Sequence, residues 1–364
     1  MPSTWNRNRL TEILGIEYPI IQGPLGGLAS QRLTAAVSNF GGLGSFGGLG
    51  LAPDKLKDVI AEIRSLTSKP FAMNLWVSVE DEAARASDAA AFARSLAPLL
   101  PLLRELGASP PSYKPHVPVR FEDQVRVLLD EKVPVFSFIF GIPPREILDE
   151  CRAKKIIVIG TATTAEEARA LADAGVDAVA ASGSEAGGHR GSFLRAAQES
   201  ITGTFSLVPQ VADAIDLPLI AAGGIADARG VLAALLLGAE AVQMGTVFLS
   251  CEESGSNRLH REALLKGGFQ TGLTTAFTGR LARGIRNRLM EELDKPGVEV
   301  LPYPLQRLLV RNVTSAAEGA GKPELMQMWA GQSAGIASPT DATAFLMSLV
   351  EEVSELAPEA WTGL

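Results

Sequence analysis

From Tyr18 to Ser250 the chain repeats one pattern, a short apolar run followed by a turn and then a longer stretch with helical periodicity. That alternation is the signature of βα units around a parallel sheet, and it constrains the fold more than any single motif does. The candidate strands are Pro19 to Pro24, Gly42 to Phe46, Phe71 to Val77, Val133 to Phe140, Lys155 to Gly160, Ala178 to Ala181, Pro218 to Ala222 and Ala241 to Phe248. Helix starts are marked by Asp54 behind Pro53, by Thr164 before Glu166 and Glu167, and by Asp227 before Val231 and Leu232. Gly175 and Gly238 stand where two of these helices should stop.

Eight such units close naturally into a (β/α)8 TIM barrel. The competitor is an open, doubly wound sheet, which would gather its ligand loops at one switch point. Here glycine-rich or polar loops follow several separate strands, as the C-terminal face of a barrel requires, and an α/β barrel is the expected fold. Two regions depart from the repeat. Residues 80–118 begin with an Ala-rich helical stretch, Asp81 to Leu106, and end Pro-rich, predicting a helical excursion over one barrel end. Beyond Ser250 the pattern turns helical and polar, with candidates at Arg258 to Lys266, Leu281 to Leu293, Leu305 to Glu318, Pro323 to Met328 and Asp341 to Leu356. The expected division is therefore a barrel over residues 1–250 and a mostly helical cap and C-terminal segment over 251–364.

A chain of 364 residues, 46% of them hydrophobic, can bury a core of this size. Its formal charge of -8 disfavours nucleic acid and anionic membrane surfaces as partners. The two cysteines, Cys151 and Cys251, match no metal-ligand spacing, so no metal is expected and a reduced compartment is implied. The polar stretch Met1 to Leu10 carries no apolar leader segment, and no run approaches the ~20 apolar residues of a membrane span, which points to the cytoplasm.

The chemistry-bearing stretch is Glu185-Ala186-Gly187-Gly188-His189-Arg190-Gly191, directly after the sixth candidate strand. Its glycines let the backbone approach a ligand, and His189, one of three histidines, can exchange protons near neutral pH. Glu185 either orients that histidine or, the favoured reading, is a carboxylate exposed to water. Gly223-Gly224 after the seventh strand, and Gln243-Met244-Gly245-Thr246 at the end of the eighth, stand where barrels bind phosphate through backbone amides. Gln22-Gly23-Pro24 ends the first strand. Asn74 sits mid-strand in Phe71 to Val77, where an amide is either a structural partner of the next strand or a ligand contact. Gly42-Leu43-Gly44-Ser45-Phe46-Gly47 fits a dinucleotide fingerprint in letters alone: a helical pattern precedes it and Pro53 delays the next helix, so a small-residue second strand is expected. His116 and His260 are expected on solvated surface. An anionic ligand would need a cation, for which Arg190, Arg280 and Arg283 are available.

Taken in order, Gln22-Gly23-Pro24, Asn74, Glu185 to Gly191, Ala222-Gly223-Gly224, Gln243 to Thr246 and Met328-Trp329-Ala330-Gly331-Gln332-Ser333 resemble the nitronate monooxygenases, formerly 2-nitropropane dioxygenases. The resemblance implies a barrel holding FMN noncovalently under a helical cap. It assigns Asn74, Ser182, Gly187, Gly188, Gly223, Gly224, Gln243, Met244, Gly245 and Thr246 to the flavin, the last six at its phosphate, and sets Gln22 and Gly23 near the isoalloxazine ring. His189 matches the active-site histidine. The chain departs from some members after the fifth strand, where they carry a lysine and it has Gly160-Thr161-Ala162. The implied reaction oxidises an alkyl nitronate such as propionate 3-nitronate with O2, through a flavin semiquinone, to a carbonyl compound and nitrite. FMN-dependent enoyl-acyl-carrier-protein (enoyl-ACP) reductases, which draw hydride from NAD(P)H, resemble the chain in the same Glu-Ala-Gly-Gly-His loop and are the alternative.

Overall fold

The computed structural model describes residues 5–337 and 339–361. Its strands in chain order are β1 (Ile20–Gln22), β2 (Gly44–Gly47), β3 (Phe71–Trp76), β4 (Val135–Ile139), β5 (Ile157–Ala162), β6 (Ala178–Ser182), β7 (Gly188–His189), β8 (Leu219–Ala222), β9 (Ala241–Met244), β10 (Thr271–Thr274) and β11 (Ala282–Ile285). Eight of them pair in parallel in the order β1-β9-β8-β6-β5-β4-β3-β2. The two ends meet: the Gln22 amide donates to the Leu43 carbonyl at 2.9 Å, and the Leu43 amide donates to that of Ile20 at 2.9 Å. With every edge paired, the sheet is a barrel ringed by helices, the α/β fold that the alternation implies.

Local chemistry sets the connections. Thr164 caps the helix Ala165–Ala174 by accepting from the Glu167 amide, and Gly175, at φ +84°, ends it. Asp227 likewise accepts from the Gly230 amide at the start of Ala228–Leu236. The glycines of the second strand serve packing: a Cβ on Gly44 would lie 1.9 Å from the Thr34 carbonyl oxygen, in the helix Gln31–Phe40. That helix precedes the glycines and the next begins at Pro53, so no dinucleotide turn forms.

The helix Arg9–Leu14 plugs the barrel floor, where Leu10 and Leu14 cluster with Ile21, Leu43, Ala72, Val135, Ile159 and Ile220. The last helix, Ala342–Trp361, differs from the sequence pattern that grouped it with the cap. Its Leu346, Leu349 and Val353 join the same core as Val37, Val231 and Leu232 of the barrel's helical ring. Each such side chain contributes about 1.5–3 kcal/mol through burial, so the helix belongs energetically to the barrel.

A second core unites the excursion with the chain beyond Ser250: Leu99, Leu102 and Leu103 pack with Phe277, Ile285, Leu289, Leu309 and Val313. The Ala-rich stretch is a broken run, with helices Ala89–Leu96 and Leu100–Glu105 joined through a 3-10 turn at Ala97–Leu99. Pro98 and Pro101 stand at the starts of those last two elements. The expected helix from Leu281 to Leu293 is instead β11 followed by a helix at Arg288–Leu293, divided where Asn287 caps the helix through the Met290 amide. Strand β11 pairs antiparallel with both β10 and β7, setting Ala282 opposite His189 and Arg283 opposite Gly188. The cap thus carries a small sheet whose edge strand is the histidine loop. No helix among the described residues is long and apolar enough to cross a membrane.

Candidate active site

Side chains alternate along a strand, so the residues packed in the barrel floor identify which later positions face its interior. On β3 that parity takes Ala72 to Asn74, and on β4 it takes Val135 to Ser137. Asn74 Nδ2 donates to Ser137 Oγ at 2.9 Å, a structural bond between strands that leaves Oδ1 without a donor among the described residues. By the same parity Thr161 on β5, Ser182 on β6 and Gln243 on β9 face inward. Among the described residues none of these three side chains has a hydrogen-bond partner in the protein. Such a ring of uncommitted polar groups at the upper layer of an apolar barrel calls for a polar ligand. Gln22 is different: its Nε2 donates to the carbonyls of Gly23 at 2.6 Å and Ser45 at 2.7 Å, while Oε1 accepts from the Ser45 amide. Its side chain is spent closing the β1–β2 seam, and Gly23, whose amide donates to the Met244 carbonyl at 2.7 Å, packs against the Gly245 backbone.

Beside this layer the loops after β8 and β9 converge. Gly223 and Gly224 adopt φ of +102° and +75°. Their amides and that of Gly245 donate to no backbone carbonyl among the described residues. The closing motif holds the loops in place. The Gly331 amide donates to Thr246 Oγ1 at 2.9 Å, the Gln332 amide to the Glu185 carbonyl at 2.9 Å, and Ser333 Oγ to the Gly224 carbonyl at 2.7 Å. A Cβ on Gly187 would come within 2.6 Å of the Gly331 nitrogen, so only glycine fits that crossing. Free amides on glycine turns, clamped from outside, suit an anionic phosphate group. Glu185 neither orients His189 nor lies free in water. Its carboxylate accepts from the Thr204 amide and hydroxyl at 2.9 and 3.0 Å, tying the histidine loop to the helix Thr204–Ala212.

His189 lies among four aromatic rings brought from distant segments: Trp76, Phe140, Tyr303 and Trp329, with centroids 4.8, 6.3, 6.2 and 5.2 Å away. Its Nε2 is 2.9 Å from Thr278 Oγ1, and Nδ1 has no protein partner among the described residues. Burial, then the charges of Arg307 and Arg280, push its pKa down to about 3, so the imidazole is neutral at working pH. His260, expected at the surface, is buried with Nε2 2.9 Å from the Trp329 carbonyl, and burial lowers its pKa to about 4. The amphipathic pattern of its helix put it on a polar face, but that face lies under the closing motif.

The three arginines divide. Arg190 is buried, and its guanidinium donates to the carbonyls of Ser182, Ser200 and Thr163. Arg283 is buried and donates to the Ser184 carbonyl at 2.9 Å. Both therefore brace loops. Arg280 stacks 4.4 Å from the centre of Phe140 and 4.6 Å from that of Tyr303, paired with Asp81 at 2.8 Å. Arg307, which nothing in the sequence singled out, reaches the Tyr303 hydroxyl at 3.4 Å and has no carboxylate partner among the described residues. An unpaired guanidinium beside a neutral imidazole suits an anionic or strongly dipolar substrate.

Comparison with known proteins gives the family. A family model described as nitronate monooxygenase matches residues 7–352. A probable nitronate monooxygenase of Staphylococcus aureus (strain Newman) is 41% identical over 97% of this chain and 99% of its own. Among solved structures, a nitroalkane oxidase from Streptomyces ansochromogenes superposes with a TM-score of 0.86 at 34% identity, covering 97% of this chain and 99% of that one. FabK from Thermotoga maritima gives 0.76 at 31% identity, covering 98% and 99%.

Proposed function

The chain belongs to the nitronate monooxygenase family of flavin-dependent oxidoreductases, and we propose that it binds FMN and uses O2 to oxidise small alkyl nitronates and nitroalkanes to carbonyl compounds and nitrite. The observation that supports this reading is His189, neutral and uncommitted at Nδ1 among aromatic rings, in the loop whose Gly187 packs against Thr246 of the phosphate-type turns. The residues fit FMN. The amides of Gly223, Gly224, Gly245 and Thr246 would take the phosphate, with Met244 behind them, while Gly187 and Gly188 border it. Asn74, Ser182 and Gln243 would meet the polar edge of the ring system, and Gly23 would lie near it. When bound, the flavin supplies the electron acceptor and the route to O2.

The protein's own contribution is placement and proton handling. Arg307 and Arg280 attract the nitro or nitronate oxygens, and the aromatic wall of Trp76, Phe140, Tyr303 and Trp329 excludes water around them. A preformed nitronate needs no base. From a neutral nitroalkane, His189 takes the proton on the carbon bearing the nitro group; that C–H bond breaks, its electron pair moves into the nitro group, and the anion so formed is held by the same arginines. His189→Asn should retain FMN, measured by absorbance and by flavin released on denaturation, and lose about 100-fold or more in turnover of nitroalkanes. Undiminished nitroalkane turnover would remove His189 from this role. The likeness to FabK keeps an NAD(P)H-dependent enoyl-ACP reductase as the second reading, and loss of NADH oxidation with an enoyl thioester in the same variant would favour it.

A further inference from the structure

We propose that Thr278 is the residue that fixes the tautomer of His189, holding the ring proton on Nε2 so that Nδ1 is the basic atom presented to substrate. The argument is one of counting protons. The Thr278 hydroxyl has a single hydrogen and faces three groups: His189 Nε2 at 2.9 Å, the Arg280 carbonyl at 3.2 Å and the Arg280 amide at 3.4 Å. The carbonyl can only accept and the amide can only donate. Thr278 is fully buried, and the carbonyl of Arg280 takes no other donor among the described residues. If the hydroxyl turned its proton to the imidazole, the Arg280 carbonyl would lose the one hydrogen bond it accepts among the described residues, a cost of about 0.5–1.5 kcal/mol. With the proton on the carbonyl, the hydroxyl oxygen accepts from both the Arg280 amide and His189 Nε2–H, and every group is satisfied. Nδ1 is then the lone-pair atom, and among the described residues it makes no protein hydrogen bond.

The turn around Thr278 is built to hold this arrangement. The amides of Thr278 and Gly279 both donate to the Thr275 carbonyl, at 3.2 and 2.7 Å. Gly279, at φ +93°, lies where a Cβ would meet the Leu301 carbonyl oxygen at 2.5 Å and the Tyr303 nitrogen at 2.6 Å. Pinned between β10 and β11, the hydroxyl cannot follow the imidazole if the ring rotates. A consequence is that His189 is set as an acceptor and not as a donor to nitro oxygens, which leaves those oxygens to the arginines. The low proton affinity of the half-buried ring agrees with a neutral tautomer being the resting form.

This inference rests on the proton-abstracting reading of His189 for its catalytic consequence, but the tautomer itself is observable without turnover. Long-range proton–nitrogen correlation of the FMN-loaded protein labelled at histidine nitrogen, with His189→Gln assigning the signal among three histidines, should show His189 protonated at Nε2. An Nδ1–H tautomer in the wild type would overturn the proposal. Thr278→Val, which keeps the shape and removes the hydroxyl, should erase that preference and lower the ratio of nitroalkane to preformed-nitronate turnover by about 5- to 10-fold, the value of one hydrogen bond. Thr278→Ser should restore both. A valine variant with the wild-type ratio, or a serine variant that fails to restore the tautomer, would also overturn it. If the wild type turned over neither substrate, the functional reading would fail while the nitrogen spectrum still judged Thr278.

Discussion

Arg307 carries a charge that the surrounding residues leave unanswered, and that asymmetry decides what the site can hold. Arg280 shares its charge with Asp81, whereas among the described residues Arg307 makes a hydrogen bond to the hydroxyl of Tyr303 and no ion pair. Arg307→Met should therefore raise the KM for propionate 3-nitronate about 10- to 100-fold, the value of a charge-assisted contact, with a smaller effect on neutral nitroethane. Steady-state kinetics on the two substrates would check this, and equal effects on both would assign Arg307 to packing. Nothing in the sequence marks Arg307, because Leu305 to Glu318 reads as an ordinary amphipathic helix and the proximity to His189 is made by the cap. Trp76, Phe140 and Tyr303 were equally silent, and Trp329 stood out only as part of the closing motif, since an aromatic wall assembled from four segments has no local pattern. His189 was legible because its glycine-flanked position reports close backbone approach. The glycines after β8 were legible for the same reason.

At the scale of elements, the barrel strands could be read because each is a buried apolar run bounded by caps, and the periodicity of the intervening helices is strong. The cap strands could not. β7 has two residues, too few for any alternation, and β11 contains Arg283 and Gly284 inside a window whose later leucines mimic helical spacing. Only pairing with β10 and β7 makes it a strand. The closing helix Ala342–Trp361 was legible as a helix but not in its partner, because an apolar stripe does not say which surface covers it. Ending the chain at Thr340 should therefore destabilise the barrel itself: the stripe of Leu346, Leu349 and Val353 covers core residues of the ring, and cooperative thermal unfolding should shift down or vanish. An unchanged melt would place that helix outside the barrel's folding unit. Gly187→Ala is expected to cost about 1–3 kcal/mol of stability through its collision with the Gly331 backbone, and to weaken FMN retention as the closing motif moves.

The molecule as a whole joins a rigid, closed barrel to a cap that supplies the histidine's strand, the threonine that orients it and the arginines around it. Burial of neutral histidines makes this joint acid-sensitive. The folded pKa of His260, about 4, lies below its unfolded value, so the unfolded chain binds the proton first; the stability is intact above about pH 6.5 and is lost as pH falls toward 4, by about 1.4 kcal/mol per pH unit. His260→Gln should flatten that part of the stability curve in denaturant titrations. The central claim concerns the reaction that the joined halves perform, and oxygen consumption by the purified FMN-loaded protein with propionate 3-nitronate, in the absence of any nicotinamide, tests it most directly. Rapid O2 uptake with release of nitrite is the expected result. No uptake, together with oxidation of NADH when an enoyl thioester is supplied, would contradict it.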